Sequence, residues 1–249
     1  MRNSALGDLL IQMRKIFRLL GYILAILCGL CSSSAAEPIK LKDYFPLSKG
    51  TVWIYEGMVK WNGTADKKPD EKLMRWSMEV IDTFEESFFS AALLRGHPSD
   101  LMFYDPNRKP SEYVIVNSGG MYFELNRSTW SVLQQPDGDR SALMKTARMI
   151  LDAPLIEGKR FCEPEQILVQ VRYCWNITQT VVQLKKVRGL PPSLIKEHRG
   201  YDMTFQTSPD HTIVVFVPGL GITGYLSAHH SSDGVAVDLS LIEYRPGKR

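Results

Sequence analysis

Cysteine is scarce in this chain. Four occur in 249 residues, and two of them, Cys28 and Cys31, fall in an apolar stretch near the start. The remaining pair, Cys162 and Cys174, cannot supply the several bridges of a small disulfide scaffold, and two thiols alone do not close a tetrahedral zinc site. Residues 37–249 also lack H-E-x-x-H, C-x-x-C and G-x-S-x-G, so the common metalloprotease, thiol-redox and serine-hydrolase signatures are missing. After residue 31 there is no apolar run long enough for a helical membrane span. No long stretch shows helical periodicity in alternation with strands, which excludes a layered α/β fold.

Charge of one sign is also lacking. The chain carries 30 Lys and Arg against 27 Asp and Glu. Residues 1–36 hold Arg2, Arg14, Lys15 and Arg18 against Asp8, which leaves 26 of each sign in the remainder. The basic excess therefore belongs to the N-terminal segment, and no nucleic-acid partner is expected.

That segment has the three regions of an export signal. RKIFR (14–18) is basic, LLGYILAILCGLC (19–31) is apolar, and Ser34 and Ala36 are small residues at cleavage spacing. Residues 1–36 are read as a signal peptide with cleavage after Ala36, and Met13 is a better start than Met1. The expected location is the periplasm or the medium, with no integral membrane span after cleavage. A lipid-anchored form is not expected, because Leu27 and Leu30 precede Cys28 and Cys31 where a small residue is normal. Cys162 and Cys174 are then the remaining thiols, in an oxidising compartment, and are predicted to form a disulfide.

What is abundant is strand signal. TVWIYEGMVKW, LMRWSMEVIDTF, ESFFSAALLRG, SEYVIVNSG and MYFEL come first, and ILVQVRYCWNI and TVVQLKKVRGL follow Cys162. YDMTFQTS, HTIVVFV, GITGYLSAHH and VAVDLSLIEY complete roughly a dozen runs rich in β-branched and aromatic residues. Residues 37–249 are read as one all-β or β-rich domain, an antiparallel and strongly curved sheet, open barrel or sandwich. One short helix is predicted near 141–151 from the spacing of Leu143, Ala147 and Ile150.

An internal echo divides this domain near residue 150. PLSKGTVW runs from Pro46 through Gly50 to Trp53, and PLIEGKRF from Pro154 through Gly158 to Phe161. In each, proline and glycine set a turn and an aromatic residue enters the core. Two similar halves of a sheet are the implied organisation.

GLGITG, with Gly219, Gly221 and Gly224, spells a dinucleotide fingerprint by letter. A real one needs a helix after the glycines to meet the pyrophosphate, and here Ile222 and Thr223 lead into a strand. The expected roles are a corner at Pro218 to Gly221 and a bulge or close approach at Gly224. No cofactor is expected.

YFPLSKGTVWIYEG (44–57), Pro218-Gly219-Leu220-Gly221 through Tyr225, and Leu241-Ile242-Glu243-Tyr244 together resemble a broad family of exported, largely uncharacterised bacterial proteins. Its members begin with a YxPLxxGxxWxY segment and carry a PGxGxxxY segment near their end. The resemblance implies export and a β-rich fold, and it carries over no active site.

Catalytic and metal-ligating candidates are thin. His229 and His230 are adjacent, so on a strand they point to opposite faces. His97, His198 and His211 are scattered singly. Asp238 and Glu243, five apart on the last predicted strand, would likewise face opposite ways. Asn62, Asn126 and Asn176 open sequons that a bacterial route leaves unused. Trp53, Trp61, Trp76, Trp130 and Trp175 are expected in the core, or lining a cavity or groove. The leading expectation is a non-enzymatic envelope or periplasmic protein that binds an apolar small molecule or an envelope protein. The alternatives are a structural or interaction module without ligand, and a hydrolase with a site gathered from loops.

Overall fold

The computed structural model describes residues 43–61, 70–87, 89–103, 109–135, 138, 140, 143, 146–162, 173–195, 198–207, 210–229 and 235–248. The expected signal peptide, His230 and the turn at 231–234 lie outside the described residues. Residues Ile39–Arg249 make one compact unit.

The chain runs as two consecutive six-stranded meanders. The first holds β1 (Val52–Trp61), β2 (Asp70–Glu85), β3 (Ser90–Arg95), β4 (Glu112–Ser118), β5 (Met121–Asn126) and β6 (Arg148–Asp152). The second holds β7 (Arg160–Cys162), β8 (Cys174–Val182), β9 (His198–Gln206), β10 (Asp210–Val217), β11 (Gly221–His229) and β12 (Val235–Arg245). The first and last strands pair, so the sheet order is β6-β5-β4-β3-β2-β1-β12-β11-β10-β9-β8-β7. All paired neighbours are antiparallel. The sheet curls into a nearly closed barrel around one core that takes side chains from both meanders, among them Tyr122, Leu151, Phe161 and Ile177. Between the free edges, Lys159 donates to the carbonyls of Asp152 (2.7 Å) and Pro154 (3.1 Å) and ion-pairs with the Asp152 carboxylate.

The two meanders start in the same way. Thr51 N–H donates to Ser48 O at 3.0 Å, and Lys159 N–H to Ile156 O at 3.1 Å. Gly50 and Gly158 occupy the turns at φ +82° and +76°, where a side chain would be strained. Each glycine N–H then donates to the neighbouring strand, to Val80 O at 2.8 Å and to Ile177 O at 2.9 Å. Val80 and Ile177 donate back to Thr51 O and Lys159 O. Trp53 and Phe161 follow, both buried.

Several strands read as unbroken apolar runs because they are buried on both faces. Ala92, Leu94 and Ile115 face the barrel interior. Ala91, Leu93, Val114 and Val116 face outward under a short helix, α1 (Trp130–Leu133), whose Trp130 and Leu133 complete a second cluster.

Two local expectations are corrected. Residues 148–151, expected as the end of a helix, begin and fill β6. Leu143 is helical, and it and Ala147 pack outside the barrel, whereas Ile150 belongs to the strand and packs against the interior core. The predicted strand over 180–190 stops at Val182; the chain then turns, with Val187 N–H donating to Leu184 O. A third correction concerns Asp238 and Glu243. A bulge puts Ile54 opposite Glu243 and Tyr55 opposite Leu241, and the extra residue brings both carboxylates to the outer face. Glu243 is there shared by Arg75, Arg188 and Arg245.

Cys162 and Cys174 face each other across β7 and β8 and are bonded, with Cα atoms 4.3 Å apart. A link closing so short a loop contributes about 3 kcal/mol in the chain-entropy picture. It tethers the three-residue edge strand β7 to its neighbour.

Candidate functional site

A cavity of about 230 Å³ lies inside the barrel, between β5–β6 on one side and β8–β11 on the other. Its wall is graded. Along β10 the inward positions are Asp210, Thr212, Val214 and Phe216, and along β9 into the following turn they are Met203, Phe205 and Thr207. Phe205 pairs with Thr212, so polarity rises in the same direction on both strands. On the far wall Glu124 and Arg148 sit opposite each other, and Leu151 lies deeper, opposite Tyr122. The cavity therefore has a polar mouth at Asp210, Thr207, Glu124 and Arg148, and an apolar floor at Phe45, Leu151, Phe216 and Ile222.

The floor is made by the segment that precedes β1. Tyr44 and Phe45 are buried and hold three elements together. Gly219 N–H donates to Tyr44 O at 2.8 Å, Leu155 N–H to the Tyr44 hydroxyl at 2.9 Å, and Phe45 N–H to the Tyr122 hydroxyl at 3.2 Å. Desolvation pushes both phenols up to about 12, against the opposing pull of those backbone bonds, so they stay protonated. The Phe45 ring meets Phe216 edge-on at 5.5 Å and Trp53 at 5.7 Å.

The Pro218–Gly221 corner closes the same end. Leu220 N–H donates to Val217 O at 3.0 Å, and Gly219 and Gly221 have φ +78° and +92°. Trp53 Nε1 donates to Leu220 O at 2.6 Å and the Tyr55 hydroxyl to Ile222 O at 3.1 Å. No helix follows the glycines; β11 does. Thr223 is the extra residue of a bulge, with Ile222 opposite Phe216 and Gly224 opposite Val215. Gly224 is a close approach, since a Cβ there would lie 2.9 Å from Val215. The bulge turns both Ile222 and Tyr225, three residues apart, into the cavity. A second bulge does the same for Ile150 and Leu151 in β6.

At the mouth, Arg148 Nη2 donates to Glu124 Oε1 at 2.9 Å. Asp210 is bonded to His229 Nδ1 and to the Thr207 hydroxyl (3.3 Å). His229, expected to be a free polar residue at a hairpin tip, is thus tied down on β11. The Tyr225 hydroxyl donates to Met102 Sδ at 3.0 Å, and burial holds its pKa well above the phenol range.

His97, expected in a loop, heads the 3₁₀ turn Pro98–Phe103 and lines the cavity. Its ring packs edge-on to Tyr113 (5.5 Å) and Tyr225 (5.9 Å). Desolvation lowers its pKa, with Glu124 pulling the other way, so the ring is neutral at neutral pH. Nδ1 accepts the Ser99 N–H at 3.1 Å and lies 2.7 Å from the Ser99 hydroxyl, which assigns the proton to Nε2. The lone pair that a general base would use is therefore taken by a backbone amide. Asp100 is committed to Ser111 through its amide (2.9 Å) and its hydroxyl. The remaining histidines are separate: His211 is on β10 and His198 on β9. Among the described residues no group of three or more His, Cys, Asp or Glu could hold a metal ion, and no helix is long and apolar enough to cross a membrane.

Of the tryptophans, Trp53, Trp76 and Trp130 are core residues and Trp175 lines the cavity. Glu124, Arg148 and Asp210 escaped the sequence reading because they lie on separate strands and no local motif links them. The one signal that could have found part of the site is DHTIVVF, whose alternate residues grade from Asp through Thr and Val to Phe.

No protein-family model and no curated protein matches the chain. Two solved structures are similar at low levels. One is a chain from Bacteroides fragilis inferred to be exported, with a YmcC-like fold; it is 13% identical with a TM-score of 0.39. The other, from Parabacteroides distasonis, is inferred to be a lipoprotein and is 9% identical with a TM-score of 0.42. Each alignment covers 81% of this chain and 98% of the other.

Proposed function

We propose that this is an exported, non-enzymatic binding protein whose barrel holds the apolar segment of a small amphiphile. The observation that carries the reading is the graded cavity, with an aromatic and aliphatic floor below a charged mouth. Ligand sites are commonly mostly apolar, with a few placed polar groups that fix orientation. At about 230 Å³ the cavity is smaller than the usual 300–1,000 Å³ range, which suits one chain rather than a whole multi-chain lipid. The engagement of the His97 lone pair favours binding over hydrolysis. The export signal read at residues 1–36 supports an extracytoplasmic setting.

A series of straight-chain alcohols tests this by calorimetry, each below its solubility limit. Burial of a methylene is worth about 0.8 kcal/mol, so affinity is expected to rise about fourfold per carbon. It should then level off at the length that fills the cavity. Absence of binding across the series, or a rise with no plateau, as surface adsorption gives, contradicts the proposal.

A further inference from the structure

We infer that the mouth selects a quaternary ammonium headgroup on the amphiphile, an inference that rests on the apolar-ligand reading above. Strand register places Trp175, Phe205, Thr212 and Ser227 side by side across β8 to β11. The Trp175 and Phe205 rings lie 5.2 Å apart and both line the cavity. Asp210 is two residues beyond Thr212 on the same face of β10, so its carboxylate stands about 7 Å further toward the mouth. A group seated against the two rings thus meets aromatic surface, with a carboxylate further toward the mouth. Aromatic faces with a nearby anion are the general means of holding an ammonium ion.

The charges agree in sign. Two carboxylates, Glu124 and Asp210, and one guanidinium, Arg148, line the cavity. Arg148 is paired with Glu124, which leaves Asp210, bonded to the His229 ring, as the lining carboxylate that the guanidinium does not neutralise. Asp210 already accepts from the Thr207 hydroxyl and is bonded to His229. A quaternary ammonium needs no hydrogen-bond acceptor, so it can lie against Asp210 without displacing either partner. An anionic headgroup in the same place would face the Asp210 carboxylate, with the Arg148 guanidinium already engaged by Glu124.

The test compares decyltrimethylammonium, decanol and decyl sulfate, each titrated below its micelle concentration into the folded protein. Decyltrimethylammonium is expected to bind at least tenfold more tightly than decanol, and decyl sulfate more weakly than either. In Asp210→Asn the ratio of ammonium to alcohol affinity should fall to near one, and in Trp175→Leu it should fall severalfold. Should a variant fail to fold, the order of the three probes on the unaltered protein still decides. Equal affinities, or tighter binding of the sulfate, would overturn the headgroup assignment and leave the apolar site standing. Failure of all three to bind would overturn both.

Discussion

Gly221→Ala is expected to destabilise the barrel by about 2–5 kcal/mol. Two separate costs add at this position. The backbone there has φ +92°, and a left-handed conformation costs an L-residue about 1–2 kcal/mol. The new methyl would also stand 2.8 Å from Phe45 Cε2 and 3.3 Å from Trp53 Nε1. Overpacking of that kind adds about 1–3 kcal/mol. The Phe45 ring cannot retreat easily, because Trp53, Tyr122 and Phe216 surround it. Denaturant unfolding reads the total, and the double variant with Phe45→Leu reads the steric part separately. Measured against Phe45→Leu alone, Gly221→Ala should cost less than it does in the unaltered protein, while the backbone cost remains. A nearly neutral Gly221→Ala would mean that the corner is not built this way.

Phe45→Ala should cost about 3–5 kcal/mol, the usual range for deleting a buried phenylalanine side chain. Phe45 is 3% exposed and lies at the centre of the floor. Its loss also lengthens the cavity, so the plateau in the alcohol series should move to a longer chain. A drop in stability with the plateau unmoved would make Phe45 a core residue only, with the floor elsewhere.

These two residues explain why widely separated motifs in the sequence carry similar information. Tyr44 and Phe45 open the domain, and Pro218 to Gly221 lie more than 170 residues later. In the fold they pack together, through the Gly219 to Tyr44 hydrogen bond and the Gly221 contact with Phe45. The glycine corner was legible in the sequence because proline, glycine and β-branched residues restrict the backbone locally. Most strands were legible for the same reason. The repeated PLxxG turn was legible too, and it precedes β1 and β7.

The cavity was not legible, because bulges decide which side chains enter it. Ile222 with Tyr225, and Ile150 with Leu151, both break the simple alternation of a strand. The same effect reversed the expected facing of Asp238 and Glu243. A bulge depends on the register of the partner strand, and no single segment announces it. Glu124 and Arg148 meet only because β5 pairs with β6, and Asp210 and His229 only because β10 pairs with β11.

The most direct test of an apolar ligand segment inside the barrel is a crystal structure with 10-bromodecanol, read by the anomalous signal of its bromine. The bromine is expected at the floor, beside Phe45, Phe216 and Ile222, with the hydroxyl toward Thr207 and Asp210. A bromine bound only on the outer surface of the barrel, or no ordered bromine at saturating ligand, would contradict it.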